Sequence, residues 1–159
     1  AANTPTPTYT PTTPADPPTP TYTPTTAAAI AQFDNDSLQN PAVSVFMSPT
    51  GNRNFSHSND ISYPNGDQDD WVEFEFPNNS NTSQRVRITL NCNITGPDGA
   101  QVRATIYEDG QQTTKIVICG QGETFLTVDN TKKQQLRIHW GITQDGVYAT
   151  YDLTVVGYN

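Results

Sequence analysis

The amino-acid sequence predicts an all-β protein, an antiparallel β-sandwich of about eight or nine strands, jelly-roll-like or immunoglobulin-like, that follows an extended N-terminal arm in the polyproline II conformation. Three observations predict this fold class. Short runs of alternating apolar and polar residues recur through residues 27–159, turn-forming residues separate these runs, and residues 1–26 are rich in proline and threonine. Alternation indicates strands with one buried face, and dense proline prevents both helix and sheet ladder.

The arm contains an internal repeat, because the nonapeptide PTPTYTPTT occurs at residues 5–13 and again at residues 18–26. In polyproline II, residues 4–26 would span roughly 70 Å, whereas a domain of this size has a diameter of roughly 35–40 Å. The arm can therefore cross a neighbouring domain. Threonine beside proline predicts O-glycosylation, and a bare inter-domain linker is the alternative. The candidate O-glycosylation residues are Thr4, Thr6, Thr8, Thr10, Thr12, Thr13, Thr19, Thr21, Thr23, Thr25 and Thr26.

The strands of the sandwich are predicted from period-two alternation. In residues 85–90, for example, Val86, Ile88 and Leu90 alternate with polar residues, and turn pairs such as Asn65-Gly66 lie between the runs. The predicted strands are residues 43–47, 71–76, 85–90, 102–107, 115–119, 124–128, 135–140 and 148–156.

Composition points to an extracellular or cell-surface protein. The formal net charge is −8 and only 15% of residues are charged, so the chain has no basic cluster for nucleic acid and relies on neutral polar side chains for solubility. No apolar run is long enough to span a membrane. Cys92 and Cys119 are expected to form a disulfide, with two free buried thiols as the alternative. Glycans are also expected partners, since five sequons for N-glycosylation occur, at Asn35, Asn54, Asn78, Asn81 and Asn93.

Two segments carry a resemblance to a known family. Residues 65–74, NGDQDDWVEF, resemble the G-D-x-D-x-[WY]-x-x-[FL] signature of bacterial pre-peptidase C-terminal domains. Residues 151–155, YDLTV, are similar to that family's final Y-x-L-x-V strand. The resemblance implies a secreted, non-catalytic β-sandwich module that tolerates calcium. About thirty residues between the arm and the signature have no place in the family pattern.

One loop offers a candidate metal site. Asp67, Asp69 and Asp70 follow the Asn65-Gly66 turn, and several carboxylate oxygens from one loop are what Ca²⁺ requires. The alternative is a solvated acidic turn that blocks edge pairing. No other cofactor is expected.

The sequence offers no convincing catalytic set, so an enzyme is not expected. Glu73 is expected on a solvent-facing strand surface, His57 in a polar loop, and His139 on the outward side of a strand. None of these settings activates a nucleophile or a general base.

Two functions compete. The first is a structural subunit of an extracellular filament, a homopolymer in which the arm contacts neighbouring copies; the alternative is an accessory or carbohydrate-binding domain of a larger secreted enzyme. A proline-free segment beside the arm is a candidate for adding to a neighbour's sheet edge. It comprises Ala27, Ala28, Ala29, Ile30, Ala31, Gln32 and Phe33.

Overall fold

A computed structural model of the chain describes residues 29–47, 53–77 and 83–158. The predicted arm lies outside these residues. The described part contains nine strands and no helix, which confirms the all-β prediction. The strands are β1 (Val43–Phe46), β2 (Asn54–Tyr63), β3 (Asp69–Glu75), β4 (Ser83–Thr95), β5 (Gln101–Glu108), β6 (Gln111–Ile118), β7 (Glu123–Asp129), β8 (Gln134–Ile142) and β9 (Val147–Tyr158).

The nine strands form the two layers of a sandwich. One sheet has five strands in the order β1-β3-β8-β5-β6, and the other has four in the order β2-β9-β4-β7. All pairings are antiparallel except that of β1 with β3, which is parallel. The predicted antiparallel sandwich is confirmed, with one parallel pairing at this edge, where β1 runs alongside β3 in the same direction.

The core lies between the two sheets and is built by the alternation that the sequence predicts. Val86, Ile88 and Leu90 of β4 are fully buried, and so are Leu136 and Ile138 of β8. Full burial of one such side chain contributes roughly 1.5–3 kcal/mol, and no described helix adds to this core. The inward set predicted for β9, namely Ala149, Tyr151, Leu153 and Val155, is buried as expected.

Strand β2 was not predicted, and its position corrects the placement of His57. The strand pairs antiparallel with β9, and His57 lies opposite Leu153 in the row that faces the interior. Burial lowers the pKa of this half-buried imidazole. The expectation that His57 lies in a polar loop was wrong because the inward positions of β2 include polar residues, which hide the period-two pattern.

A disulfide links the two sheets near one edge. Cys92 lies on β4 and Cys119 follows β6, and their sulfur atoms are at bonding distance, with the Cα atoms 6.0 Å apart. The Gly120 amide also donates a hydrogen bond of 2.9 Å to the carbonyl of Leu90, so a backbone contact accompanies the covalent bond. In the part of the chain that the structure describes, no helix is long and apolar enough to cross a membrane.

Candidate metal centre

The segment that leads from the arm into the domain is held against the turn between β2 and β3. We call residues 29–36 the arm root. Within it, the buried Ala31 donates its amide hydrogen to Ser62 Oγ at 3.0 Å, and its carbonyl accepts the amide hydrogen of Asp67 at 3.2 Å. Gly66 permits this close approach, because a Cβ on Gly66 would lie 2.4 Å from the carbonyl oxygen of Ala31.

Beyond Ala31, the arm root brings two carboxylates to the domain. Asp34, Asp36, Asp67 and Asp70 each place one carboxylate oxygen within 4.8 Å of the others. Asp34 and Asp36 come from the arm root, Asp67 from the β2–β3 connection, and Asp70 from an inward-facing position of β3. We call these four residues the acidic cluster. Two segments separated by about thirty residues therefore meet at one point.

Neutral donors hold part of the acidic cluster in place. Tyr151 donates its hydroxyl hydrogen to Asp70 Oδ2 at 2.5 Å, and the Asn59 amide lies 3.2 Å from Asp70 Oδ1 and 3.0 Å from Asp34 Oδ2. The amide of Trp71 donates to Asp36 Oδ2. The five ion pairs among the described residues all lie outside the acidic cluster.

Burial and mutual repulsion make three carboxylates of the acidic cluster, those of Asp36, Asp67 and Asp70, hard to ionise. Burial, with repulsion from neighbouring aspartates, raises the pKa of Asp70 to about 8 and that of Asp36 to about 7. The same causes raise the pKa of Asp67. Burial and the nearby Asp70 carboxylate raise the pKa of the Tyr151 hydroxyl, so that hydroxyl remains a donor. Protons or a bound metal ion would therefore reduce the repulsion among the carboxylates of the acidic cluster.

Asp67 distinguishes the acidic cluster from an ordinary acidic turn. The residue is only 7% exposed, and its Oδ2 atom has no hydrogen-bond donor in the described part of the chain, although a side-chain hydrogen bond with Asp70 lowers the pKa of Asp67. Beside it lies a cavity of about 360 Å³ whose lining includes Phe33, Asp36, Asp69 and Arg137. A buried carboxylate oxygen without a partner is unfavourable unless a ligand satisfies it.

The acidic cluster suits a hard divalent cation. Ca²⁺ takes six to eight oxygen ligands and accepts irregular geometry, and the four carboxylates can supply much of such a set. Of the three predicted ligands, Asp67 and Asp70 belong to the acidic cluster. Asp69 does not, because it faces the outside of the sheet and pairs with Arg137, whose Nε lies 2.5 Å from Asp69 Oδ2. Asp34 and Asp36 take its place.

Sequence reasoning missed Asp34 and Asp36 because nothing in the sequence fixes the path of a loop across thirty residues. The available signal was their spacing, since Asp34 and Asp36 flank a single residue between the proline-rich repeats and the first strand. Asn35 between them has a φ of 61°, in the left-handed region that asparagine tolerates. One oxygen of Asp34 and one of Asp36 lie within 4.8 Å of each other.

The other predicted site residues are spread over the surface. Asn35, Asn54 and Asn93 are exposed, whereas Asn78, Asn81 and all the candidate threonines of the arm lie outside the described residues. Ala27 and Ala28 also lie outside them, and residues 29–33 form no strand. Both backbone groups of Ala31 bond within its own domain.

Glu73 and His139 both lie on the outer face of the five-stranded sheet. Glu73 faces outward but is buried, because Ser44 donates to its carboxylate at 2.9 Å and Lys133 at 3.0 Å. Its expected solvent exposure was therefore wrong. His139 faces outward as expected and lies 2.9 Å from Thr105 Oγ1. These polar contacts stabilise the outer face of the five-stranded sheet.

No family model, curated protein or solved structure matches this chain. The two segments that carry the resemblance to pre-peptidase C-terminal domains nevertheless meet in space. Asp70 of the first segment and Tyr151 of the second share the 2.5 Å hydrogen bond described above.

Proposed function

We propose that the chain is a structural subunit of an extracellular filament or cell-surface assembly, in which the proline/threonine-rich arm contacts neighbouring copies and carries O-linked sugar. The observation that carries the proposal is the attachment of the arm root. Ala31 is bonded to the β2–β3 turn on both sides of its backbone, and Asp34 and Asp36 share the acidic cluster with Asp67 and Asp70. An arm fixed at its root leaves the domain at a defined point, as a connector between subunits requires.

A calcium ion in the acidic cluster would complete this attachment. It would bind Asp34 and Asp36 of the arm root and Asp67 and Asp70 of the domain, and so join the two segments electrostatically. The partnerless Oδ2 of Asp67 supports the assignment. Extracellular calcium sites typically have dissociation constants of about 10⁻⁴–10⁻³ M, which suits an ion supplied by the medium.

The location outside the cell is supported by the disulfide. Cys92 and Cys119 join the two sheets, and structural disulfides persist mainly in oxidising compartments. N-linked sugar would also fit a location outside the cell. Asn54 and Asn93 each begin a sequon, and both are exposed and so accessible for glycosylation.

Electron microscopy of the native material tests the proposal. Regular filaments with density that spans adjacent subunits are expected, and a chelator such as EGTA is expected to loosen or disperse them. Peptide mapping of the same material should find sugar on threonines of residues 4–26. Dispersed single copies under all conditions, with and without added calcium, would contradict a structural assembly.

A further inference from the structure

The outer face of the five-stranded sheet carries an aromatic pair whose role the acidic cluster does not explain. Trp71 of β3 and Tyr107 of β5 reach towards each other across β8, with ring centroids 5.0 Å apart in an edge-to-face arrangement. The guanidinium of Arg137 lies 5.8 Å from the centroid of the Trp71 ring. We call Trp71, Tyr107 and Arg137 the aromatic surface.

The polar side chains beside the aromatic surface already have partners. Gln135 is buried and donates to Glu73 at 3.1 Å, and the buried Thr105 bonds His139. Trp71 and Tyr107 are both half-buried at outward positions of the sheet. Tryptophan, tyrosine and arginine are the residues enriched at binding hot spots, and here all three share one face of a sheet, with Arg137 held by its ion pair with Asp69.

The chemistry of the arm fits this surface. The nonapeptide PTPTYTPTT contains three prolines and no charged residue, and the sequence predicts polyproline II, which has no internal hydrogen bonds. Such segments bind aromatic-lined surfaces, where proline rings pack on the aromatic faces and free carbonyls accept hydrogen bonds from tryptophan or arginine donors. Because each copy has a net charge of −8, an uncharged segment is the part of a neighbour that can approach without repulsion.

The spacing of the two nonapeptides supplies an independent argument. Their period of thirteen residues corresponds to roughly 40 Å of polyproline II, which matches the roughly 35–40 Å diameter of one domain. Two nonapeptides on one arm are thus separated by about one subunit. We propose that the nonapeptides of one copy bind the aromatic surfaces of neighbouring copies. This inference rests on the proposed structural function and names the surface through which the arm would act.

A labelled peptide tests the inference on the full chain. Fluorescein-labelled PTPTYTPTT is titrated with the protein, and fluorescence anisotropy gives the dissociation constant. We expect Trp71→Ala and Tyr107→Ala each to weaken binding about tenfold or more, as loss of an aromatic anchor does. Phe125→Ala is the matched control, because Phe125 and Tyr158 form an aromatic pair on the other sheet, with centroids 6.1 Å apart. That variant should bind as the original chain does.

A second measurement needs no variant. The chain has two tryptophans, and Trp140 is only 7% exposed, so acrylamide quenching reports mainly on Trp71. Excess unlabelled peptide should protect Trp71 from the quencher. A peptide with alanine in place of its three prolines should not protect it, because it lacks the preformed polyproline II conformation.

Several results would overturn the inference. They are failure of the peptide to bind, binding that both aromatic substitutions leave unchanged, and protection of Trp71 by free sugars instead of the peptide. Protection that precedes peptide addition and persists on dilution would also overturn it, since the chain's own arm would then occupy the surface. If microscopy shows filaments but the peptide does not bind, the structural function is supported and only the proposed role of the aromatic surface is rejected. If the protein forms only single copies that still bind the peptide, the aromatic surface is supported as a peptide-binding site and the structural function is rejected.

Discussion

Removal of calcium is expected to lower the thermal stability of the domain by an amount that the acidic cluster allows us to calculate. With a dissociation constant of about 10⁻⁴–10⁻³ M, 10 mM calcium exceeds that constant by about tenfold to a hundredfold and stabilises the folded state by about 1.4–2.7 kcal/mol. A domain of about 130 residues has an unfolding entropy near 0.27 kcal/mol/K. The midpoint of thermal unfolding should therefore rise by about 5–10 °C when calcium replaces EGTA.

The same stabilisation should depend on pH with a definite sign. In the absence of calcium, folding raises the pKa of Asp70 from 3.8 to about 8 and that of Asp36 from 3.8 to about 7. The folded state thus retains protons that the unfolded chain releases, so this contribution to stability is complete below about pH 3.8 and is lost as pH rises through 7 and 8. Calcium competes with those protons. Its effect on the unfolding midpoint should be large at pH 8 and small at pH 5.

Scanning calorimetry with matched variants checks both statements. Asp67→Asn removes one cluster charge, and we expect it to stabilise the calcium-free protein at pH 8 while abolishing most of the calcium response. Asp98→Asn, in the exposed turn between β4 and β5, should leave both quantities unchanged. Equal midpoints in millimolar calcium and in EGTA at pH 8 would refute the metal assignment. The acidic cluster would then be one in which protons alone offset the repulsion.

Two further substitutions test the framework around the acidic cluster. Replacing Cys92 and Cys119 with alanine opens a loop with a sequence separation of 27 residues, and urea titration should show a loss of about 3.5 kcal/mol. An unchanged midpoint would mean that the sheets are held without the covalent link. Gly66→Ala should destabilise the domain by more than Gly122→Ala, although both glycines have positive φ, at 85° and 78°. The backbone conformation costs about 1–2 kcal/mol in either case, but only at Gly66 would the new Cβ collide with Ala31; equal losses would show that the arm root moves aside freely.

The fold could be predicted where one face of a strand is uniformly apolar. Strands β4 and β9 are recognisable because their inward positions, such as Ile88 and Leu153, are aliphatic and fully buried. Strand β2 was missed because its inward row includes His57 and Asn59, which read as loop residues. Asn59 faces the interior because Asp34 and Asp70 accept its amide hydrogens. A polar group inside the sandwich therefore concealed the strand that carries it.

The candidate site could be predicted only in part for a related reason. Asp67 and Asp70 follow a turn and precede an aromatic strand, so their proximity is local and visible in the sequence. Asp34 joins them through the path of the arm root, which is set by the contact of Ala31 with Ser62. Such a contact depends on how the folded segments fit together, and no pattern in the sequence predicts it. Asp69, adjacent in sequence, lies outside the acidic cluster because neighbouring residues of a strand point to opposite faces.

The position of the acidic cluster also bears on how the arm could act between subunits. Trp71 connects the two candidate surfaces, since its amide bonds Asp36 of the acidic cluster while its ring belongs to the aromatic surface. Neutralising the acidic cluster would hold the backbone of β3 and the arm root in one arrangement, and the ring of Trp71 would be held with them. An ion at the root of one subunit's arm would thereby also order the surface on which a neighbour's arm is proposed to lie. Root attachment and neighbour binding should then weaken together when calcium is removed.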